Sequence, residues 1–158
     1  MWATSLRGKE RRELEPVFSP LAEERFALAI ETIYEGYLAH YGRPRLFDPA
    51  DGDTALLLGD YLYAHGLVRI ASVGDVHAVA RLAALISVCA QLRADGRDGD
   101  GAAWAATAAR LGDGNGLEEA VAALRDGGGT ARLERLAAEG AGDAAVREAF
   151  AAHARRLR

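Results

Sequence analysis

The sequence predicts an all-α protein that folds as a compact helical bundle. Apolar residues recur at helical spacing along most of the chain, and no segment alternates polar and apolar residues with period two. Runs of β-branched residues are absent, and glycine-rich or proline-containing breaks separate the apolar segments. The 158 residues can bury most of their apolar surface in one domain. We expect this domain to span residues 19–158, after an N-terminal arm of residues 1–18.

The first long helix is expected to begin at Ser19 and Pro20 and to end near Tyr41. Serine is a good N-cap and proline is favoured at the first helical position, while Gly42-Arg43-Pro44 stops a helix. The spacing of its residues gives this helix an apolar stripe and an acidic face. The stripe is Phe26, Ile30, Ile33, Tyr37 and Tyr41, and the acidic face is Glu24, Glu31 and Glu35.

The second helix follows a loop over residues 42–53 that contains two prolines and a glycine. We expect Asp53 or Thr54 to cap this helix, because both side chains can accept a hydrogen bond from the first turn. The apolar periodicity then continues to about Ile70.

The third helix is expected to follow a turn at Gly74, to be capped by Asp75 and to end near Ala94. It carries two apolar stripes, so we expect it to sit centrally with neighbours on both sides. The stripes are Val76, Val79, Ala83, Ile86 and Ala90, and Leu82, Leu85, Cys89 and Leu92. After an acidic loop, four shorter helices are expected at residues 102–111, 117–125, 130–138 and 143–157.

The composition favours a cytoplasmic protein that does not bind nucleic acid. The net charge is −4 and no basic stripe is visible. The first 14 residues lack the apolar core of a signal peptide, and Cys89 is the only cysteine. Charged or polar side chains interrupt the longest apolar runs, so we expect no transmembrane segment. The Arg155-Arg156-Arg158 end fits a helix C-terminus and leaves peripheral binding to anionic lipid open.

The polar residues do not form a familiar metal or phosphate motif. Two acidic clusters lack the glutamate that closes an EF-hand loop, so we interpret them as solvated turns. They are Asp48, Asp51 and Asp53, and Asp95, Asp98 and Asp100. The histidines contain no i, i+4 ligand pair and are expected at the surface or at helix ends. They are His40, His65, His77 and His153.

Gly59 and Asp60 form the most unusual pair in the sequence, because they interrupt an otherwise apolar second helix. Glycine in a helix costs about 1 kcal/mol relative to alanine. An ionised carboxylate is rarely buried without a partner. Asp60 is therefore expected either to be buried beside an arginine or a helix end, or to act directly on a ligand.

This helix carries a resemblance to a known family. Residues 55–64 read ALLLGDYLYA and resemble the A-x-L-x-G-D-x-L-x-x-x-A helix of the trans-isoprenyl (polyprenyl) diphosphate synthases. Upstream, Glu31 to His40 is similar to the family's E-x-I-H-x-A-x-L-x-H stretch, and Gly42-Arg43-Pro44 is similar to the end of R-R-G-x-P. Residues 117–158 resemble the C-terminal helices. The resemblance implies a reduced isoprenoid-synthase-like fold.

Two acidic motifs of the family have no counterpart in this chain. Only Tyr41 stands where the first aspartate-rich motif, D-D-x-x-D, would lie, and no second motif is found. In the family these carboxylates hold the Mg²⁺ that neutralises the diphosphate leaving group. The resemblance therefore implies a pseudoenzyme with no cofactor of its own, whose partner holds the magnesium.

Some bacterial hexaprenyl and heptaprenyl diphosphate synthases pair a small helical subunit with a catalytic large subunit. The resemblance implies that this chain is such a small subunit, which influences the length of the prenyl chain and exposes an apolar helix face when isolated. Gly36 and Tyr37 match positions that line the prenyl tunnel, although Tyr37 could equally fill the core. The candidate pocket or interface residues are Gly36, Tyr37, His40, Gly59, Asp60 and Tyr63.

Two other functions are compatible with the sequence. The helical scaffold could bind an isoprenoid, a prenyl diphosphate or another lipid as a monomer or homodimer, without transferase activity. It could also be an enzyme with altered chemistry built on His40, His65 or Asp60, which requires these groups to converge in one cleft.

Overall fold

The computed structural model describes residues 2–157, and describes side chains from Thr4 onward. It confirms the all-α fold: the described residues form helices joined by loops, with one isolated antiparallel bridge between Leu6 and Phe47. The α-helices are α1 Trp2–Ser5, α2 Ala27–Tyr41, α3 Gly52–Ser72, α4 Val76–Ala94, α5 Asp100–Ala109, α6 Leu117–Arg125, α7 Ala131–Ala141 and α8 Asp143–Arg156. Single 3₁₀ turns span Lys9–Arg11, Ser19–Leu21 and Glu24–Phe26.

The first long helix begins later than the sequence predicted, at Ala27 rather than at Ser19. Two 3₁₀ turns precede it, because Ala22 and Glu23 are extended and interrupt the helix. The Glu31 carboxylate accepts the backbone N–H of Ser19 at 2.8 Å, and also accepts those of the two preceding residues. This carboxylate therefore fixes the approach of the chain to α2. The predicted end at Tyr41 is confirmed.

The helix caps agree with the prediction at α4 but not at α3. Asp51, rather than Asp53 or Thr54, caps α3 by accepting the N–H of Thr54 at 2.7 Å. Asp75 caps α4 by accepting the N–H of Ala78 at 2.9 Å, as predicted. The last four helices fall close to their predicted ranges.

α5, and not α4, is the most buried helix of the bundle. Its residues from Ala102 to Ala108 are buried, because their mostly small side chains let neighbouring helices approach on every side. α4 buries only one of its two stripes, the one that contains Leu82, Leu85 and Cys89. The other stripe begins at Val76, which is 74% exposed. The prediction of a central third helix is therefore wrong.

α4 is the only helix in the described part of the chain that is long and apolar enough to cross a membrane. Its mean hydropathy reaches 1.3, and 33% of that window is buried inside the bundle. A helix that packs one apolar face against the core of a bundle can have the same length and hydropathy. α4 packs in this way. The expected absence of a transmembrane segment stays a prediction.

α2 and α3 pack closely where they cross, because glycines line their contact. A Cβ atom at Gly36 would lie 2.9 Å from the carbonyl oxygen of Gly59, and one at Gly66 would lie 2.3 Å from Ile33 Cγ1. Atoms do not pack at these distances, so both positions require glycine. The crossing brings most of the candidate residues together.

Candidate functional site

The crossing of α2 and α3 places five of the six candidate residues side by side. Gly36 on α2 faces Gly59 and the Tyr63 ring on α3. His40, one turn after Gly36, packs on Tyr63 with 5.1 Å between ring centroids. Its Nε2 atom lies 3.2 Å from Asp60 Oδ1. The spacing of these residues in the sequence therefore does correspond to one cluster in space.

His40 is half-buried in a notch that Gly59 leaves open. A Cβ atom at position 59 would lie only 2.4 Å from His40 Nε2. Burial lowers the pKa of His40, and the nearby charge of Asp60 only partly opposes this effect. His40 Nε2 makes no well-aligned hydrogen bond, so its contact with Asp60 is one of proximity. His40 is consequently a neutral imidazole at pH 7.

Asp60 lies at the surface rather than in the core. Its side chain is 67% exposed, and its ion-pair neighbour is His40 instead of an arginine. The expectation of a buried, arginine-paired Asp60 is therefore wrong. The apolar residues of α3 are not all buried. Some of them are exposed, and Asp60 lies between them on the helix surface.

Tyr37 points away from this cluster into the core. Its hydroxyl donates to Asp100 Oδ2, and the Arg93 guanidinium donates to both the same oxygen and the Tyr37 hydroxyl, the latter at 2.6 Å. Burial raises the pKa of Tyr37, which keeps the phenol neutral. Although burial opposes ionisation of Asp100, hydrogen bonds and the Arg93 charge outweigh it and lower the pKa of Asp100. The Tyr37 hydroxyl is thus engaged in an internal network.

His153 belongs to the same buried region; it lies at a helix end, one of the two predicted places, and not at the surface. It is 5% exposed, because α8 packs it against Phe18 and against the tyrosines of α2. Its Nδ1 atom lies 2.9 Å from the Tyr34 hydroxyl, and its Nε2 atom lies 3.9 Å from Asp100 Oδ1. Its ring contacts Phe18, Tyr34 and Tyr37. Only its last-turn position was visible in the sequence.

A buried ion cluster of Glu31, Arg45 and Glu35 joins the N-terminal arm to α2. Arg45 is 4% exposed and donates to Glu31 Oε2 at 2.6 Å and to Glu35 Oε2 at 3.1 Å. It also donates to the carbonyl oxygen of Glu15. The sequence predicted an acidic face here, but not its counter-ion. The signal was the i, i+4 glutamate pair followed by an arginine just after Pro44.

Gly42 and Arg43, which resemble part of a family motif, hold the end of α8. The Arg43 amide donates to the carbonyl oxygen of Arg156 at 2.9 Å, and its guanidinium donates to that of Arg155 at 2.6 Å. These bonds satisfy carbonyl groups that the last turn of a helix leaves without partners. Gly42 lies so close that a Cβ there would be 2.8 Å from the Arg156 oxygen.

His65 does not join the cluster of His40 and Asp60. It stacks on Tyr61 with 5.4 Å between ring centroids, and lines a separate apolar groove of about 260 Å³. The apolar lining of this groove is Leu14, Leu28, Leu46, Phe47 and Leu62. The three groups of the altered-enzyme hypothesis therefore do not share one cleft.

The outer face of α3 exposes apolar side chains near the cluster. We define it as Leu56, Leu57, Asp60, Tyr61, Ala64 and Val68, which lie on the side of α3 opposite its buried residues. Leu56 is 54% exposed, Leu57 51% and Val68 65%. Large aliphatic side chains at this exposure, three on one helix face, are typical of a surface that another molecule covers.

Comparison with known proteins adds no relative. No family model, curated protein or solved structure matches this chain significantly. Within the described residues, no group of three or more histidine, cysteine, aspartate or glutamate side chains could hold a metal ion.

Proposed function

We propose that this chain is a non-catalytic small subunit of a polyprenyl diphosphate synthase. It pairs with a catalytic large subunit and influences the length of the prenyl chain. The observation that carries the proposal is the outer face of α3, an exposed apolar surface on the helix that resembles the family's Gly-Asp helix. An isolated subunit exposes such a surface because its partner is absent.

The polar groups of the chain support a scaffold role. A diphosphate leaving group needs cations, but the nearby arginines already serve the fold: Arg43 holds the end of α8, Arg45 binds two glutamates and Arg93 binds Asp100. His40 is uncharged at pH 7 because burial lowers its pKa. Electrostatic stabilisation of the leaving group is therefore assigned to the partner, together with the magnesium ions.

Reconstitution with a large subunit tests the proposal. The chain is co-expressed with a prenyl diphosphate synthase that carries both aspartate-rich motifs, and the complex is assayed for chain elongation from an allylic diphosphate. We expect no product from the chain alone, and association that shifts the product length of the large subunit. Leu57→Asp should abolish association, whereas Leu14→Asp, at a more exposed leucine (78%) outside the outer face, should not.

A large subunit that is fully active and never associates would contradict the proposal. Loss of association in both leucine variants would also contradict it, because the contact would then not be specific to α3. Circular dichroism of each variant controls for folding, since both leucines are exposed and their substitution should leave the helical content unchanged.

Isoprenoid binding without transfer is the second candidate, and the apolar groove beside His65 favours it. This groove of about 260 Å³ lies between the N-terminal arm, α2 and α3, with apolar side chains on each wall. Native mass spectrometry and thermal-shift measurements with prenyl alcohols test this function. A bound lipid that is lost in Leu14→Asp would support it, and the absence of both lipid and shift would contradict it.

A further inference from the structure

The fully exposed charges of the α3–α4 hairpin are all acidic. Among its exposed residues between positions 51 and 96, none is lysine or arginine. The arginines of this segment are partly buried, and two of them are bound: Arg81 to Glu118 and Arg93 to Asp100. The exposed charged residues of the segment are Asp51, Asp53, Asp60 and Asp95, all of which are acidic.

Asp60 is the only charged residue within the outer face of α3. Leu56 and Leu57 precede it by four and three residues, and Ala64 follows it by four, so these side chains border it on the helix surface. The contact with His40 does not neutralise it, because the imidazole is uncharged at pH 7. The face is thus an apolar patch that contains one unneutralised carboxylate.

We propose that the outer face of α3 binds a different protein, whose surface presents an arginine or lysine within a ring of apolar side chains. The proposed function gives this partner its identity as a catalytic subunit, but the chemistry of the partner follows from the face alone. Covering the apolar patch removes water from Asp60, and a desolvated carboxylate without a counter-ion is strongly unfavourable. The partner must therefore bring the cation.

A second copy of this chain does not fit the same face. In a two-fold symmetric dimer the same patch lies on both sides, so Asp60 would meet apolar groups, the Tyr61 hydroxyl or a second Asp60, but no cation. Arg69 cannot compensate, because nine residues correspond to two and a half helical turns and place it on the opposite side of α3. Anionic lipid and nucleic acid are disfavoured for the same electrostatic reason.

Site-specific photocross-linking in the source cells tests this inference. The probe is p-benzoylphenylalanine in place of Leu57, and mass spectrometry maps the cross-linked residue of the partner. We expect one heterologous protein, cross-linked close to an arginine or lysine. Asp60→Lys should lower the yield about 30-fold or more, and changing the mapped basic residue to aspartate should restore it in that background. Glu148→Lys, the same charge reversal on the exposed surface of α8, is the matched control and should leave the yield unchanged.

The outcomes separate this inference from the proposed function. A heterologous partner that is not a prenyl synthase but passes the charge-swap test supports the inference and contradicts the proposed function. Cross-links between two copies of the chain, cross-links to lipid, or no cross-link at all would overturn the inference. Equal losses in Asp60→Lys and Glu148→Lys would overturn it as well, because the effect would then depend on net charge alone.

Discussion

His40 of α2 occupies the space that a side chain at Gly59 of α3 would need, since a Cβ atom there would lie 2.4 Å from His40 Nε2. This relationship explains why a helix-weakening glycine stands beside Asp60. The glycine lets the imidazole reach across α3, and with Gly36 and Gly66 it sets the short distance of the crossing. Gly59 lowers the helix propensity of α3 but allows the contact between α3 and His40 of α2.

Gly59→Ala should therefore destabilise the protein, although alanine is the better helix former. Forcing a methyl group into the notch displaces His40 or separates the helices, which we expect to cost about 1–3 kcal/mol in the free energy of unfolding. Gly52→Ala is the control, because a Cβ there meets no atom within 4 Å and should not destabilise. Urea unfolding followed by circular dichroism measures both, and equal stability of the two variants would contradict the packing argument.

Arg45→Met should lower the free energy of unfolding more than Gly59→Ala does. It would leave the buried carboxylate of Glu35 and the partly buried carboxylate of Glu31 without their counter-ion. Loss of one partner from a buried ion cluster costs about 3–5 kcal/mol. Arg147→Met, at an exposed position on α8, should change stability by less than about 0.5 kcal/mol.

The double change Glu31→Gln with Glu35→Gln identifies the cause of the Arg45→Met effect. In the Arg45→Met background the two glutamines remove the buried negative charges and should recover part of the lost stability. If they recover none, the contribution of Arg45 is packing rather than charge, and the electrostatic account is wrong.

The helices could be predicted from the sequence, but the polar interior could not. The cap of α4 by Asp75 and the end of α2 at Tyr41 were predictable, because caps and helix breaks depend on residues that are close in the sequence. The beginning of α2 at Ala27 was not, because it depends on a glutamate side chain that binds amides a dozen residues away in the sequence. Helical periodicity also could not tell which stripe of α4 would be covered, since that depends on α5 filling the centre.

The candidate site shows the same division. The resemblance in sequence selected Gly36, His40, Gly59, Asp60 and Tyr63, which lie together at one crossing. It did not show that Asp60 is exposed, because apolar residues on all sides of α3 suggested complete burial. An apolar residue in a helix can pack in the core or can lie in an interface with another molecule. The sequence of one chain does not distinguish these two cases.

Asp100 should make stability depend on pH in the acid range. Its pKa is lowered in the folded protein, so its contribution is complete above the unfolded value near 3.9 and is lost as the pH falls further. Asp100→Asn should be less stable than the wild type between pH 5 and 7, and the difference should shrink below about pH 4. Unfolding of both proteins across this range measures it, with Asp98→Asn, an exposed neighbour, as control. A difference that stays constant to pH 3 would contradict this assignment.

His40 should add a second pH dependence of the stability, caused by burial of a base and not by stabilisation of a carboxylate. Burial lowers the pKa of His40 in the folded protein, so the unfolded chain takes up a proton first as the pH falls. Stability should therefore decrease as the pH drops through the unfolded value of about 6.5, and the decrease should continue until the folded pKa is passed. His40→Gln should remove this part of the decrease between pH 7 and 5.

Asp60→Asn tests the interaction between Asp60 and His40 directly. Burial lowers the pKa of His40, and the charge of Asp60 partly offsets this effect. Without that charge the pKa of His40 should fall further, and acidification should destabilise the variant more than the wild type. At pH 7.5, where His40 is neutral in both states, the variant should match the wild type, since Asp60 is exposed. Titration of the His40 ring by NMR follows the pKa directly, and a pKa that rises in Asp60→Asn would show that the two side chains do not interact as described.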